Sequence, residues 1–207
     1  MINKLEPLSS NIEDYLKSDE YVNFKKPCVF DKSNELLGAL SSDSEKIKTA
    51  FEFVRDQIHH TADIKSKRVT KTAAEVLKYS EGICYAKSLL LAALLRAQNI
   101  PCGFCYQKLT LDDTPDSGYC IHALNAVYLK EKNAWARIDS RGNTNGKNAQ
   151  FYPKDPLKEQ LAFTVRAEYG EKDLPGIYAE HPAAVIKPLI TCTDALEMMQ
   201  KHLPQDL

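Results

Sequence analysis

The sequence has no long apolar run. Its longest uninterrupted one, from Leu89 to Leu95, falls far short of the about 20 residues that a membrane-spanning helix needs. The first ten residues, MINKLEPLSS, lack the apolar core of a signal peptide, so a cytoplasmic location is expected, with no membrane partner. Charge of one sign is also missing: 27 Lys and Arg stand against 28 Asp and Glu, for a net charge of -1. That balance supplies no basic surface for nucleic acid or an anionic lipid face. Internal repeats, low-complexity tracts and Gly/Ser linkers are absent too, which argues for one compact domain with appended segments rather than an array. Six cysteines are present. In a reducing compartment their even number is no sign of disulfides, and packing roles, with one cysteine doing chemistry, are expected.

What is there suffices for a core: 43% of the 207 residues are apolar. A short helical pattern at 12–17 is followed by a Pro-containing connection. Ser42 and Glu45 form a capping box that opens a helix of about fifteen residues ending at His59 or His60, with Ile47, Ala50, Phe51, Val54 and Ile58 at helical spacing. Thr72 and Glu75 repeat the signature before 73–79, and Ser80, Glu81 and Gly82 break that pattern. Residues 83–97, ICYAKSLLLAALLRA, are apolar on nearly every face, as in a helix buried at the centre of a domain. Asn99 is a plausible C-cap and Pro101 prevents continuation. Strands are expected at 102–111, 119–129 and 134–139, with a turn-rich loop at 112–118 and a polar turn at 130–133. A further strand is expected at 161–168, and a last helix at 194–202 capped by Thr193. Helices, a buried helix and then antiparallel strands make an α+β chain. The expected division is an N-terminal helical extension (1–41), a catalytic core (42–168) and a C-terminal extension with the final helix (169–207).

Three residues carry candidate chemistry. Cys84 sits in the first turn of the buried helix, where unpaired N–H groups and the helix dipole favour a thiolate and could hold an oxyanion. Gly82 would let the backbone turn sharply and leave room for a substrate. A small buried cysteine would fit the same position. His122, on the second strand, and Asp139, at the end of the third, flank the turn at 130–133. Their numbers sum to 261, twice a turn centre near 131, so in a regular hairpin they oppose each other on one face. An imidazole oriented by a carboxylate requires that arrangement.

Taken together, GICYAKSLLLAALLRAQNIPC, IHALNAVYL and NAWARIDSRGN resemble the transglutaminase-like family: a Gly-x-Cys opening a helix, a Leu-Leu-Arg-Ala-x-x-Ile-Pro exit, a strand His, and a Trp-containing strand ending in Asp. The resemblance covers roughly 44–142. It implies a papain-like core with the nucleophile helix packed on an antiparallel sheet, and a triad of Cys84 as nucleophile, His122 as base and then acid, and Asp139 as the residue that orients the imidazole. It implies acyl transfer through a thioester, as in a cysteine protease, an amidase or a cross-linking enzyme, acting on a peptide, protein or small amide and needing no cofactor. The sequence departs from animal-type members of that family, which carry Trp directly after the nucleophile, where Tyr85 stands here, and from calcium-dependent ones, whose acidic metal sites have no counterpart in this sequence. The other-class reading is a catalytically idle fold kept as a protein-interaction module.

Four further residues are candidate substrate contacts. Arg141 and Asn143 follow Asp139 in a loop, Tyr85 adjoins the nucleophile, and the resemblance places His60 near the active-site helix, although a histidine at a helix end also complements the dipole. Cys102 and Cys105 form a C-x-x-C, but on a strand they face opposite sides and no second pair of ligands completes a zinc site; packing is expected. Cys120, two residues from His122, shares its face.

Overall fold

A computed structural model describes residues 5–112 and 114–207. Residues 1–4 and Asp113, the latter within the loop expected at 112–118, lie outside the described residues. The capping boxes read from the sequence form. The Ser42 side chain accepts from the Glu45 N–H and opens α2 (Asp43–Gln57), and Thr72 does the same for α3 (Ala73–Tyr79) through the Glu75 N–H. Ahead of them lies α1 (Pro27–Leu37), which begins on a proline. Proline lacks only an N–H that the first helical turn leaves unpaired, so the residue expected to mark a connection starts a helix instead. The segment at 12–17 is a single 3-10 turn, Ile12–Leu16.

The central helix α4 (Cys84–Arg96) is buried along nearly its whole length, as its all-round apolarity requires. Asn99 adopts the left-handed conformation beyond its end, with φ of 59°, and the Ile100 N–H returns to the Leu95 carbonyl. Arg96, in the last turn, is also buried. Its guanidinium donates to the carbonyls of Cys102, Lys17 and Ala179, joining three distant stretches of chain.

Behind α4 a sheet is built from β4 (Cys102–Thr110), β5 (Tyr119–Leu129), β6 (Ala134–Ile138) and β7 (Lys172–Tyr178), with the two-residue β1 (Glu6–Pro7) at its edge. The order is β1-β7-β4-β5-β6; β1 runs parallel to β7 and the other neighbours are antiparallel. The 169–207 segment therefore supplies a strand inside the sheet, between β1 and β4, followed by α5 (Ala183–Thr191) and α6 (Ala195–Lys201). The side chain that caps α6 is Asp194, which accepts from the Leu196 and Glu197 N–H groups, and not Thr193. The strand expected at 161–168 is irregular chain apart from a 3-10 turn at Ala167–Tyr169. A small parallel pairing of β2 (His59–His60) with β3 (Glu81–Gly82) ties the end of α2 to the residues just before α4.

Alternation along the strands divides the core as the pleat demands. Phe104, Tyr106, Ala123 and Val127 join the main cluster with the helices. Cys105, Leu124 and Ala126 join Tyr15 and Ile177 in a second one. Cys102 belongs to the first cluster and Cys105 to the second, so they lie on opposite sides of β4. The fold is α+β with α4 against a mostly antiparallel sheet. Among the described residues no helix is long and apolar enough to cross a membrane.

Candidate active site

Register decides whether His122 and Asp139 meet. In the β5–β6 hairpin Asn125 opposes Ile138 and Leu129 opposes Ala134, so paired numbers sum to 263 rather than the expected 261. The 3-10 turn Lys130–Lys132, closed by left-handed Asn133, moves the register by two residues. A shift of two keeps every side chain on its face, and His122 therefore sits one diagonal step from Asp139 instead of directly across. The step is short enough: His122 Nε2 donates to Asp139 Oδ2 at 2.9 Å, with both groups buried.

Both carboxylate oxygens of Asp139 are committed. Oδ1 accepts from the Arg141 N–H at 3.0 Å and Oδ2 also accepts from the Ala162 N–H at 3.1 Å. Burial opposes the charged carboxylate, but His122 and these hydrogen bonds outweigh it and hold its pKa below the usual value. Burial likewise opposes the imidazolium of His122, and the Asp139 charge, the Cys84 sulfur and the hydrogen bonds overcome it, pushing His122 up to about 10. With Nε2 given to Asp139, Nδ1 is the ring atom left for Cys84. Phe163 packs edge-on against the imidazole, with centroids 4.8 Å apart and planes at 69°.

Cys84 is the first residue of α4, and its N-cap Ile83 makes no side-chain cap bond. The first-turn N–H groups are thus unclaimed by a capping side chain, which leaves a positive helix end. Gly82 plays a different part from the one expected. A Cβ there would meet Thr70 Oγ1 at 3.0 Å and the Ala86 Cβ at 3.1 Å, so its bareness allows close packing beneath the helix start. The sharp turn belongs to Ser80, left-handed with φ of 53°.

Cys84, Cys120, His122, His60 and Arg141 share the lining of one cleft of about 550 Å³, to which Leu109, Met199 and Leu203 add apolar surface. Arg141 is held by a bidentate pair with Asp63, at 2.6 and 2.8 Å, and Thr144 Oγ1 donates to the same carboxylate. Burial works against the Asp63 charge, but these donors hold its pKa well below the usual range. His60 accepts from the Ala62 N–H at Nδ1. Burial, and then the charges of Arg141 and Lys87, hold its pKa well below that of a free imidazole. Burial pushes the Cys120 thiol up to about 12.

Two expected substrate contacts are packing groups. Tyr85 is fully buried and donates its hydroxyl to the Ile121 carbonyl at 2.7 Å, so its ring points into the core and not into the cleft. Asn143 closes its own loop, accepting from the Ala149 N–H and donating to the Ala149 carbonyl. Other residues near the site carried no signal in the sequence. Lys87 lies one turn into α4, buried, with its ammonium on the Ile58 carbonyl; burial and Arg141 push it down to about 7. Asp63, Ala162 and Phe163 come from stretches with no motif. Among the described residues no cluster of His, Cys, Asp and Glu has the makings of a metal site.

The model of the transglutaminase-like superfamily matches residues 31–140, more than half of the chain and the stretch that holds Cys84, His122 and Asp139. No curated protein matches. A candidate cysteine protease from Cytophaga hutchinsonii shares the fold with a TM-score of 0.52 at 18% identity, over 65% of this chain and 43% of its own. The periplasmic domain of TgpA from Pseudomonas aeruginosa gives a TM-score of 0.47 at 16% identity, over 64% of this chain and 48% of its own. The chain thus spans less than half the length of either. On the family match and the fold, the chain belongs to the transglutaminase-like superfamily.

Proposed function

We propose that the protein is a thiol-dependent acyl-transfer enzyme with Cys84 as nucleophile. The observation that carries this reading is the buried His122–Asp139 pair, 2.9 Å from Nε2 to Oδ2, beside Cys84 at an uncapped helix start. An imidazolium held up to about 10 by its carboxylate is the partner that a thiolate requires. The Cys84 sulfur forms a bond to the carbonyl carbon of a carboxamide or peptide, and the C–N bond of the collapsing intermediate breaks. His122 gives its proton to the leaving amine and then takes one from water or from an incoming amine, which resolves the thioester. Water makes the enzyme a protease or amidase; an amine makes it a transglutaminase. The scheme uses no cofactor. All six cysteines are free, which suits a reducing compartment, and we place the protein in the cytoplasm.

The first test is iodoacetamide labelling at neutral pH, read by peptide mass. Cys84 should react about tenfold or more faster than the other five cysteines, Cys120 included, since its thiol is held protonated up to about 12. His122→Asn should abolish that preference. Uniform slow labelling would sink the activated-nucleophile reading and favour the idle interaction module. Incubation with amide donors, with and without a primary amine, then separates hydrolysis from transamidation.

A further inference from the structure

Attack on a carbonyl creates an oxyanion, and under the acyl-transfer reading, on which this inference rests, the Cys84 backbone N–H supplies one donor to it. We propose that the second donor is the Nε2–H of His60.

The placement is built by β2 and β3. His60 pairs with Gly82, the Thr61 N–H donates to the Gly82 carbonyl at 3.2 Å, and the His59 N–H donates to the Ser80 carbonyl at 2.9 Å. His60 is thereby fixed to the strand that leads into Cys84. Its side chain is 9% exposed and lines the cleft together with Cys84 and His122.

The tautomer follows from its one hydrogen bond. Nδ1 accepts from the Ala62 N–H at 3.3 Å, so in the neutral ring the proton is on Nε2. Among the described residues nothing is hydrogen-bonded to Nε2. The Nε2 atom is not among the side-chain atoms sealed from solvent without a partner, so it is reached from the cleft that His60 lines, and its natural acceptor is a group that arrives there.

The charges around the ring favour this use. Burial, Arg141 and Lys87 disfavour an imidazolium at this position and His122 adds to them, together outweighing the Asp63 carboxylate, which favours it. A neutral His60 donates to the oxyanion and leaves proton transfer to His122, whose ring is hydrogen-bonded to a carboxylate, as that of His60 is not. Donors fixed before the reaction stabilise the developing charge without reorganising.

The experiment compares two reactions of Cys84 in the full chain: alkylation by iodoacetamide, which forms no oxyanion, and the acylation burst with p-nitrophenyl acetate, which does. His60→Leu fills the space without a donor and should slow acylation by about 10²–10³-fold while changing alkylation by no more than about threefold. His60→Gln, which keeps an N–H, should recover at least about tenfold of that loss. Equal losses in both reactions, or an unchanged burst in His60→Leu, would overturn the assignment. If His60→Leu does not fold, His60→Gln decides: a burst lower by more than about 10²-fold with alkylation intact overturns it. A wild-type protein that alkylates rapidly but gives no burst refutes acyl transfer itself, and is told apart by the absence of any wild-type rate to lose.

Discussion

Asp139 accepts three hydrogen bonds, from His122, Arg141 and Ala162, and a carboxylate is the only side chain of its size that accepts at both ends. In Asp139→Asn one end becomes a donor facing an N–H, and the imidazole loses the partner that fixes its proton on Nε2. Acylation of Cys84 should fall by about 10²–10⁴-fold, read from the burst with an activated ester, while circular dichroism shows the fold retained. Tyr85 gives the opposite expectation. Tyr85→Phe leaves the buried Ile121 carbonyl without its donor and should cost about 1–3 kcal/mol in urea unfolding, with the ratio of acylation to alkylation preserved. Much of this was legible at the residue scale. Sequence spacing paired His122 with Asp139 although the register was two residues off, because a shift of two does not change a strand's face. Tyr85 and Asn143, expected at the substrate, pack elsewhere because adjacency in sequence to Cys84 or Asp139 says nothing about where a side chain points.

At the scale of elements, the capping signals worked wherever the capping side chain was local. Ser42→Ala removes the oxygen that holds the Glu45 N–H and should destabilise the protein by about 1 kcal/mol. Asp194→Ala should cost a similar amount, since that side chain accepts two N–H groups, whereas Thr193→Ala should be near neutral; chemical unfolding of the three variants checks all of this. Two elements were not legible. Helix α1 was hidden by Pro27, whose exclusion from helix interiors does not extend to their first turn. The 161–168 segment has strand-like residues but joins no ladder. Its Ala162 N–H goes to the Asp139 carboxylate and its Phe163 ring to His122, so backbone that could have paired in a sheet was diverted to the site.

Across the whole molecule, α4 is gripped from both ends. Arg96 clamps its C-terminal end to three carbonyls. Near its start, His181 from the C-terminal segment accepts from the Tyr106 hydroxyl at Nδ1 and donates from Nε2 to the Tyr85 carbonyl and Ser88 Oγ. Burial pushes His181 down to about 3, so the ring is neutral in the folded state. An unfolded histidine titrates near 6.5, so between pH 6.5 and 3 the unfolded chain binds the extra proton and folding loses stability as pH falls. The loss approaches the order of 4 kcal/mol from this group at the acid end of that window. Urea unfolding between pH 7 and 4 should show a steep acid decline that is flatter in His181→Asn, whose side chain does not titrate. Equal slopes would refute a neutral buried His181.

The sequence by itself determined most local and periodic features: α3 and α4 to within a residue, α2 apart from its end, which falls at Gln57 rather than at His59 or His60 because those two pair as β2, the β4–β5–β6 strands, Cys84 at a helix start, and a histidine and an aspartate on one face of a hairpin. These follow from hydrogen bonds and side-chain spacing within a few residues of one another. Tertiary structure alone decided what depends on distant chain. It inserted β7 between β1 and β4, set Asp63 against Arg141 and Phe163 against His122, turned Tyr85 inward, and brought His60 beside Cys84 through a two-residue pairing. No short-range pattern encodes such contacts, because they arise only when the burial of α4 draws the whole chain around it.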